Sequence, residues 1–345
     1  MKKYILAILL VIVLLLLFFV SLPQPVQQTT SPAPQAPSQT QTAPPSYRFI
    51  IYTGGTGGVY FPVGTKLAEI INKYGSPMSA EARTSGASVA NANALAAGDA
   101  NMAFIQNDIA FYALNGLYMF EGRKVDLRGV ISLYPEVIQI VTLADSPIRS
   151  IYDLRGKKVV VGATGSGTAV NAEQILKAAG IWDQVEKVYV AFAEAAQMLR
   201  LRQVDAAFVV AGIPTAAVTE LATTTPVRVV EIPDDIYRKL LQEGYIYYTR
   251  YRVPRDTYNG LDKDVDTLAV MAIIVVRSDV PADAVYSMLK IIDSNIEEFR
   301  TAHARVSQFT LEKALEGMSV PLHPGAVRFF QEKGVKIPSE LLSTG

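Results

Sequence analysis

Cysteine is absent from all 345 residues, which removes disulfides, thiolate metal sites, cysteine nucleophiles and lipoprotein acylation together. Only two histidines occur, His303 and His323, too few for a histidine-built metal centre. Neither sign of charge is in excess, since lysine plus arginine and aspartate plus glutamate number 32 each. A broad nucleic-acid-binding face needs a basic surplus, so that class is set aside. The aromatic residues are spread along the chain and form no platform for stacked bases. What remains is ample apolar material: 50% of the residues are hydrophobic, and the length suits two lobes plus an appendage. The composition leans toward binding and away from catalysis, with no cofactor and no metal expected.

Met1-Lys-Lys3 precedes an uncharged run over residues 4–22. Positive residues ahead of an apolar run form the front of a secretory signal or an anchor. The run approaches the ~20 residues that span a bilayer, and no small-x-small cleavage pattern closes it. The expectation is an uncleaved anchor over 1–22, with a cleaved signal as the alternative. Residues 23–46 are almost wholly Pro, Gln, Thr, Ala and Ser. Such a stretch buries too little apolar surface to offset its ordering entropy and reads as an extended tether. Anchor, tether and globular body in that order put the body on the extracytoplasmic face of the membrane, or in the periplasm or medium if the segment is cleaved.

Two glycine-rich turns organise the body: Tyr52-Thr-Gly-Gly-Thr-Gly-Gly-Val-Tyr60 and Gly162-Ala-Thr-Gly-Ser-Gly-Thr168. Each follows a short apolar run and opens a segment with helical spacing. A glycine turn there leaves backbone N–H groups free at a helix N-terminus, where the dipole favours anions. Neither turn carries lysine or arginine, so an anion would be met by neutral donors.

Strand and helix patterns alternate from residue 47 onward. Strands are expected over 79–83, 102–105, 137–143, 157–161, 187–191, 206–210, 227–231 and 268–276, and helices over 89–97, 282–292 and 324–333. Tyr245-Ile-Tyr-Tyr248 also reads as strand. Leu95-Ala-Ala-Gly-Asp-Ala-Asn-Met-Ala-Phe-Ile105 aligns without a gap on Leu199-Arg-Leu-Arg-Gln-Val-Asp-Ala-Ala-Phe-Val209, an internal echo between the two lobes. Parallel βα units on both sides argue for two doubly wound α/β lobes with ligand at the carboxyl ends of the strands. The crossing into the second lobe is placed at 144–150 and the return at 268–276. The lobes then comprise 47–145 with 268–345, and 146–267.

Rival chemistries fit poorly. Neither turn supplies the lysine of a Walker loop, Gly165-Ser-Gly167 lacks the third glycine of a dinucleotide fingerprint, and it is not a full G-x-S-x-G elbow. His323 precedes Pro324 and reads as a helix start. Glu81 and Arg83 share one strand face as a solvated pair, with an inward Arg83 on a ligand carboxylate as the other reading. Tyr60 either closes over a ligand or simply packs.

Thr53-Gly-Gly-Thr-Gly-Gly-Val-Tyr60, Ser85-Gly-Ala-Ser-Val-Ala-Asn91, the segment from Leu95 to Asp108, and Leu322-His-Pro-Gly-Ala-Val-Arg328 resemble the TAXI family, the extracytoplasmic solute receptors of TRAP transporters. The resemblance spans 47–334 in the expected order. It implies a type II periplasmic-binding-protein-like fold with a hinge, capture of a small carboxylate such as glutamate, another amino acid or a dicarboxylate, and delivery to an ion-driven TRAP permease. It also implies a site built from Thr56, Gly57, Tyr60, Ser85, Ser88, Gln106 and Asp108 in the first lobe. Thr164, Ser166, Gly167 and Thr168 supply the second lobe's share, lined by Gly212 and Pro214. Ser85 and Ala87 depart from the family's Thr-Gly-Gly-Ser run, and the added methyl bears on ligand size. A receptor serving an ABC importer or a sensor, or a surface-anchored enzyme acting on a nucleotide or ester, are the alternatives.

Overall fold

Two long strands carry the architecture of the computed structural model, which describes residues 46–342. The strands β1 (Arg48–Tyr52), β2 (Ser79–Arg83) and β3 (Met102–Gln106) run parallel, in the order β2-β1-β3. The strands β5 (Lys158–Val160), β6 (Glu186–Val188) and β7 (Ala206–Ala211) repeat that arrangement as β6-β5-β7. Between the two sets run β4 (Leu127–Leu143) and β10 (Val265–Arg277), antiparallel to each other. β10 closes the first set against β3, and β4 closes the second against β7. The edge strands β8 (Val227–Val230) and β9 (Thr249–Val253) pair with β4 and β10. The echo in the sequence therefore has a structural counterpart, because β3 and β7 hold equivalent places in the two halves.

The helices on these strands are α1 (Tyr60–Tyr74), α2 (Ser88–Ala97) and α3 (Asn107–Asn115) in the first half. The second half carries α4 (Gly167–Ala178), α5 (Phe192–Arg200), α6 (Ala216–Thr224) and α7 (Asp234–Gln242). The chain then returns to the first half with α8 (Ala282–Ser294), α9 (Ile296–Arg300) and α10 (Pro324–Glu332). Parallel strands buried on both faces need unbroken apolar sequence, and β3 and β7 are buried at every residue.

β4 is longer than the expected strand over 137–143. Gly129 and Pro135 lie in its first part, and both residues argue against a central strand when read alone. The sheet accommodates them with register shifts against β10 between Ala272 and Ile273 and between Ile274 and Val275. β4 takes β7 as a partner from Val137 onward, so the exchange of partners falls within the strand, before 144–150. Two other expectations shorten. β6 ends at Val188, because residues 189–191 lead into α5. Residues 245–248 form a turn in which Tyr248 is buried, and the strand begins at Thr249. The anchor over 1–22 and nearly all of the tether over 23–46 lie outside the described residues. Among the described residues no helix is long and apolar enough to cross a membrane.

Candidate functional site

Five helices begin at one place. The N-cap residues of α1, α2, α3, α4 and α5 are Val59, Ala87, Gln106, Ser166 and Ala191, and all five line a single cavity of about 180 Å³ between the halves. This convergence follows from the sheet order: parallel strands in each half present their carboxyl ends, and the helices after them start there. Four of the five N-caps have no capping side chain; Ser166 is the exception. First-turn N–H groups lack intrahelical partners. Those of Asp108, Ile109, Ala90 and Ala169 are bonded to Asn107 Oδ1, Asp108 Oδ1, Gly165 O and Ser166 Oγ. The remaining ones are donors at the positive dipole ends that meet around the cavity. No lysine or arginine lines it.

The glycine turns allow this approach. A Cβ on Gly57 would stand 3.2 Å from Ala193 N and from Ala217 Cβ, and one on Gly58 would stand 3.5 Å from the Phe192 ring. The halves touch through the backbone: Ala217 N donates to Gly57 O at 3.2 Å, and Ala90 N donates to Gly165 O at 3.0 Å. Phe192, Val210, Ala211 and Ala163 give the second half's wall an apolar character.

Of the residues that the resemblance implied, Thr56, Gly57, Tyr60, Ser85, Ser88, Gln106, Ser166, Gly167 and Thr168 meet around this cavity. Asp108, Thr164, Gly212 and Pro214 are not on its wall. Asp108 instead lies in the first turn of its own helix, accepting from Ile109 N at 2.8 Å, and accepts from Asn171 Nδ2 at 2.8 Å. Burial pushes its carboxyl up to about 6. Asn171 also donates to the Tyr248 hydroxyl at 2.9 Å, which donates to Gln174 at 2.6 Å, so Asp108 belongs to a buried polar tie between the halves. Gly212 packs where a Cβ would meet Arg305 and Tyr134, while Thr164 and Pro214 are exposed.

The serines are more committed than their sequence positions suggest. Ser85 Oγ donates to Asn91 Oδ1 at 2.5 Å, and Ser88 Oγ accepts from Gln106 N at 3.1 Å. Ser166 Oγ donates to Ala163 O at 2.7 Å and accepts from Ala169 N at 3.1 Å. Its proton is therefore spent on the turn. Ser166→Ala is expected to lower stability by about 1 kcal/mol, the usual cost of losing an N-cap, as read by urea denaturation.

One polar wall residue carried no expectation at all. Glu136 of β4 is 3% exposed, lines the cavity, and accepts from the Tyr60 hydroxyl at 2.7 Å. Burial, with only neutral donors beside it and Asp108 nearby, pushes its carboxyl up to about 8. Tyr60, whose ring packs on Phe104 at 5.4 Å, has its own hydroxyl held neutral by burial. A signal for Glu136 existed: it is the one charged residue in Gly129-Val-Ile-Ser-Leu-Tyr-Pro-Glu-Val-Ile-Gln-Ile-Val-Thr-Leu-Ala144.

The other candidates take structural roles. Arg83 pairs with Glu81 at 2.8 Å on the surface, and Arg48 joins them at 2.7 Å. His323 Nδ1 accepts from Gly325 N at the start of α10 and its Nε2 meets Val280 O. Among the described residues no group of histidines, aspartates and glutamates could hold a metal ion.

Residues 51–334 match the NMT1-like family model. The chain belongs to the NMT1-like family. Among solved structures, the periplasmic binding protein BugD is similar over 85% of this chain and 99% of its own, at 13% identity and a TM-score of 0.53. That likeness shows the fold: this family member has a periplasmic-binding-protein-like architecture, an α/β sheet in two halves flanked by helices. Weaker similarities extend to a TctC solute binding protein from Polaromonas, at 18% identity, covering 76% of this chain and 88% of that one, with a TM-score of 0.42. The aliphatic sulphonate binding protein SsuA from Escherichia coli is similar at 15% identity, 86% and 96% coverage, and a TM-score of 0.43.

Proposed function

We propose that this NMT1-like protein is a non-enzymatic, extracytoplasmic solute receptor that closes on a small carboxylate and delivers it to an ion-coupled permease of the TRAP type. The convergence of five helix N-termini on one cavity without lysine or arginine is the observation that carries the reading. Backbone N–H donors with aligned dipoles favour a negative group, and charge-assisted hydrogen bonds to it are stronger than neutral ones. Neutral donors also spare the empty cleft the desolvation cost of buried cations.

Closure follows from where the donors sit. α1, α2 and α3 belong to one half and α4 and α5 to the other, so a solute that touches both sets binds best when they are together. Differential affinity of this kind shifts the population toward the closed form. In this reading the hinge lies where β4 and β10 change partners, near Val137 and Ala269–Ala272, and residues 1–22 and 23–46 tether the receptor to the membrane.

Mass spectrometry of solute released from the purified, detergent-solubilised chain tests the reading, and a small carboxylate is the expected result. Adding that compound at a hundred times its Kd should stabilise the protein by about 2.7 kcal/mol and reduce its radius of gyration. A retained nucleotide, or no carboxylate under any condition, would sink the proposal.

A further inference from the structure

Glu136 poses a problem for an anion site. It is a carboxyl on the wall of a cavity otherwise fitted for negative charge, and no basic side chain lines that cavity. The groups facing it are the Tyr60 hydroxyl from α1, the Gln106 amide and Asp108 from the β3–α3 junction, and Tyr134 from its own strand. None is a cation. Arg305 reaches Tyr134 and the Gly212 position but is not on the cavity wall. A solute carboxylate at the start of α1 lies beside Tyr60, and hence beside Glu136. Two carboxylates sharing a small dry space cannot both stay ionised, and one retains a proton.

We propose that Glu136 is the specificity-determining residue of this cavity: as a neutral carboxylic acid, it donates its proton to an oxygen of the bound carboxylate. This rests on the solute-receptor reading above and adds to it. Tyr60 donates to Glu136 Oε2, which accepts in the neutral acid just as in the ion, leaving Oε1 to carry the proton toward the solute. The cavity then favours a single negative charge, and a second carboxylate on the solute must lie away from Glu136. When Glu136 is ionised, capture draws one proton from solvent. Burial places that ionisation at about pH 8 in the empty protein, while Tyr60 stays protonated well above it.

The test uses the full chain and acetate as the minimal carboxylate, which stays ionised throughout the range. Calorimetry from about pH 6 to pH 9.5, in buffers of differing ionisation heat, reads affinity and proton uptake together. For one group with a pKa near 8, linkage predicts acetate binding about tenfold weaker at pH 9 than at pH 7, with uptake approaching one proton. Glu136→Gln should bind acetate with an affinity that no longer changes across this range, circular dichroism serving as the control for folding. A flat profile in the native protein, a profile that rises with pH, or a Glu136→Gln variant that keeps the fall would each overturn the proposal. Acetate that binds at no pH overturns the receptor reading itself, and this one with it; that outcome is distinct from acetate that binds without pH dependence.

Discussion

Gly167→Val is expected to weaken solute capture roughly 5- to 150-fold while leaving the separate halves folded, the range that 1–3 kcal/mol of overpacking implies. Gly167 is the first residue of α4, and it meets the other half of the molecule. A Cβ there would stand 1.7 Å from Gln106 Oε1, 2.5 Å from Gln106 Cδ and 3.1 Å from Ser88 Oγ. Gln106 is 2% exposed, and its Oε1 is buried with no hydrogen-bond partner. Its retreat leads toward the cavity it lines, into space the solute needs. With the halves apart the same side chain meets nothing from β3 or α2, so the penalty falls on closure. Titrating the solute eluted from native protein reads the loss, and scattering should show a larger particle at saturating concentration. Adding Gln106→Ala to the same chain should recover part of the affinity by removing the obstacle. Unchanged capture by Gly167→Val would mean that the halves do not meet at this point when solute is bound.

The empty protein should lose stability as pH rises from about 4.5 to about 8, by about 1.4 kcal/mol per pH unit from Glu136 alone. Glu136 titrates near 4.5 in the unfolded chain and near 8 in the folded one. Between those values the native state holds a proton that the unfolded state has released. Stability then falls with rising pH, and the fall ends above the folded value. Asp108 acts in the same direction over a lower window, from 3.8 to about 6, where the two effects add. Glu136→Gln should remove the loss above pH 6 and leave the part due to Asp108. Its amide oxygen still accepts from the Tyr60 hydroxyl, so no donor is orphaned. Urea unfolding at three or four pH values decides the matter, and native protein equally stable at pH 6 and pH 8 would count against a neutral buried carboxyl.

Local pattern carried most of the element plan. The strand over 79–83 is found with those bounds, and the helix start at His323 and the C-cap at Gly98 follow from residue type. Such features depend on a few neighbouring residues, so a linear reading reaches them. The first part of β4 was not legible, because Gly129 and Pro135 disfavour a central strand unless bulges against β10 accommodate them. Residues 187–191 and 245–248 misled for a related reason. β-branched and aromatic residues mark a pleated, half-buried surface, and only the partner strands decide where pairing stops.

The site divides in the same way. Glycines followed by helical spacing identified the two turns, because no other residue permits so close an approach of backbone to backbone. The sequence by itself also determined the absence of thiolate chemistry and the lack of cations in both turns, since composition settles these without any fold. Which hydroxyls remain free was decided only in three dimensions. Ser85, Ser88 and Ser166 are bonded to Asn91, Gln106 and Ala163, and Asp108 turns inward to Asn171. Glu136 shows the limit most plainly. Its carboxyl lies 30 positions from Gln106 and 76 from Tyr60 along the chain, and no spacing rule joins them. The tertiary structure brings β4 beneath the start of α1, and burial there without a cation keeps the acid's proton in place.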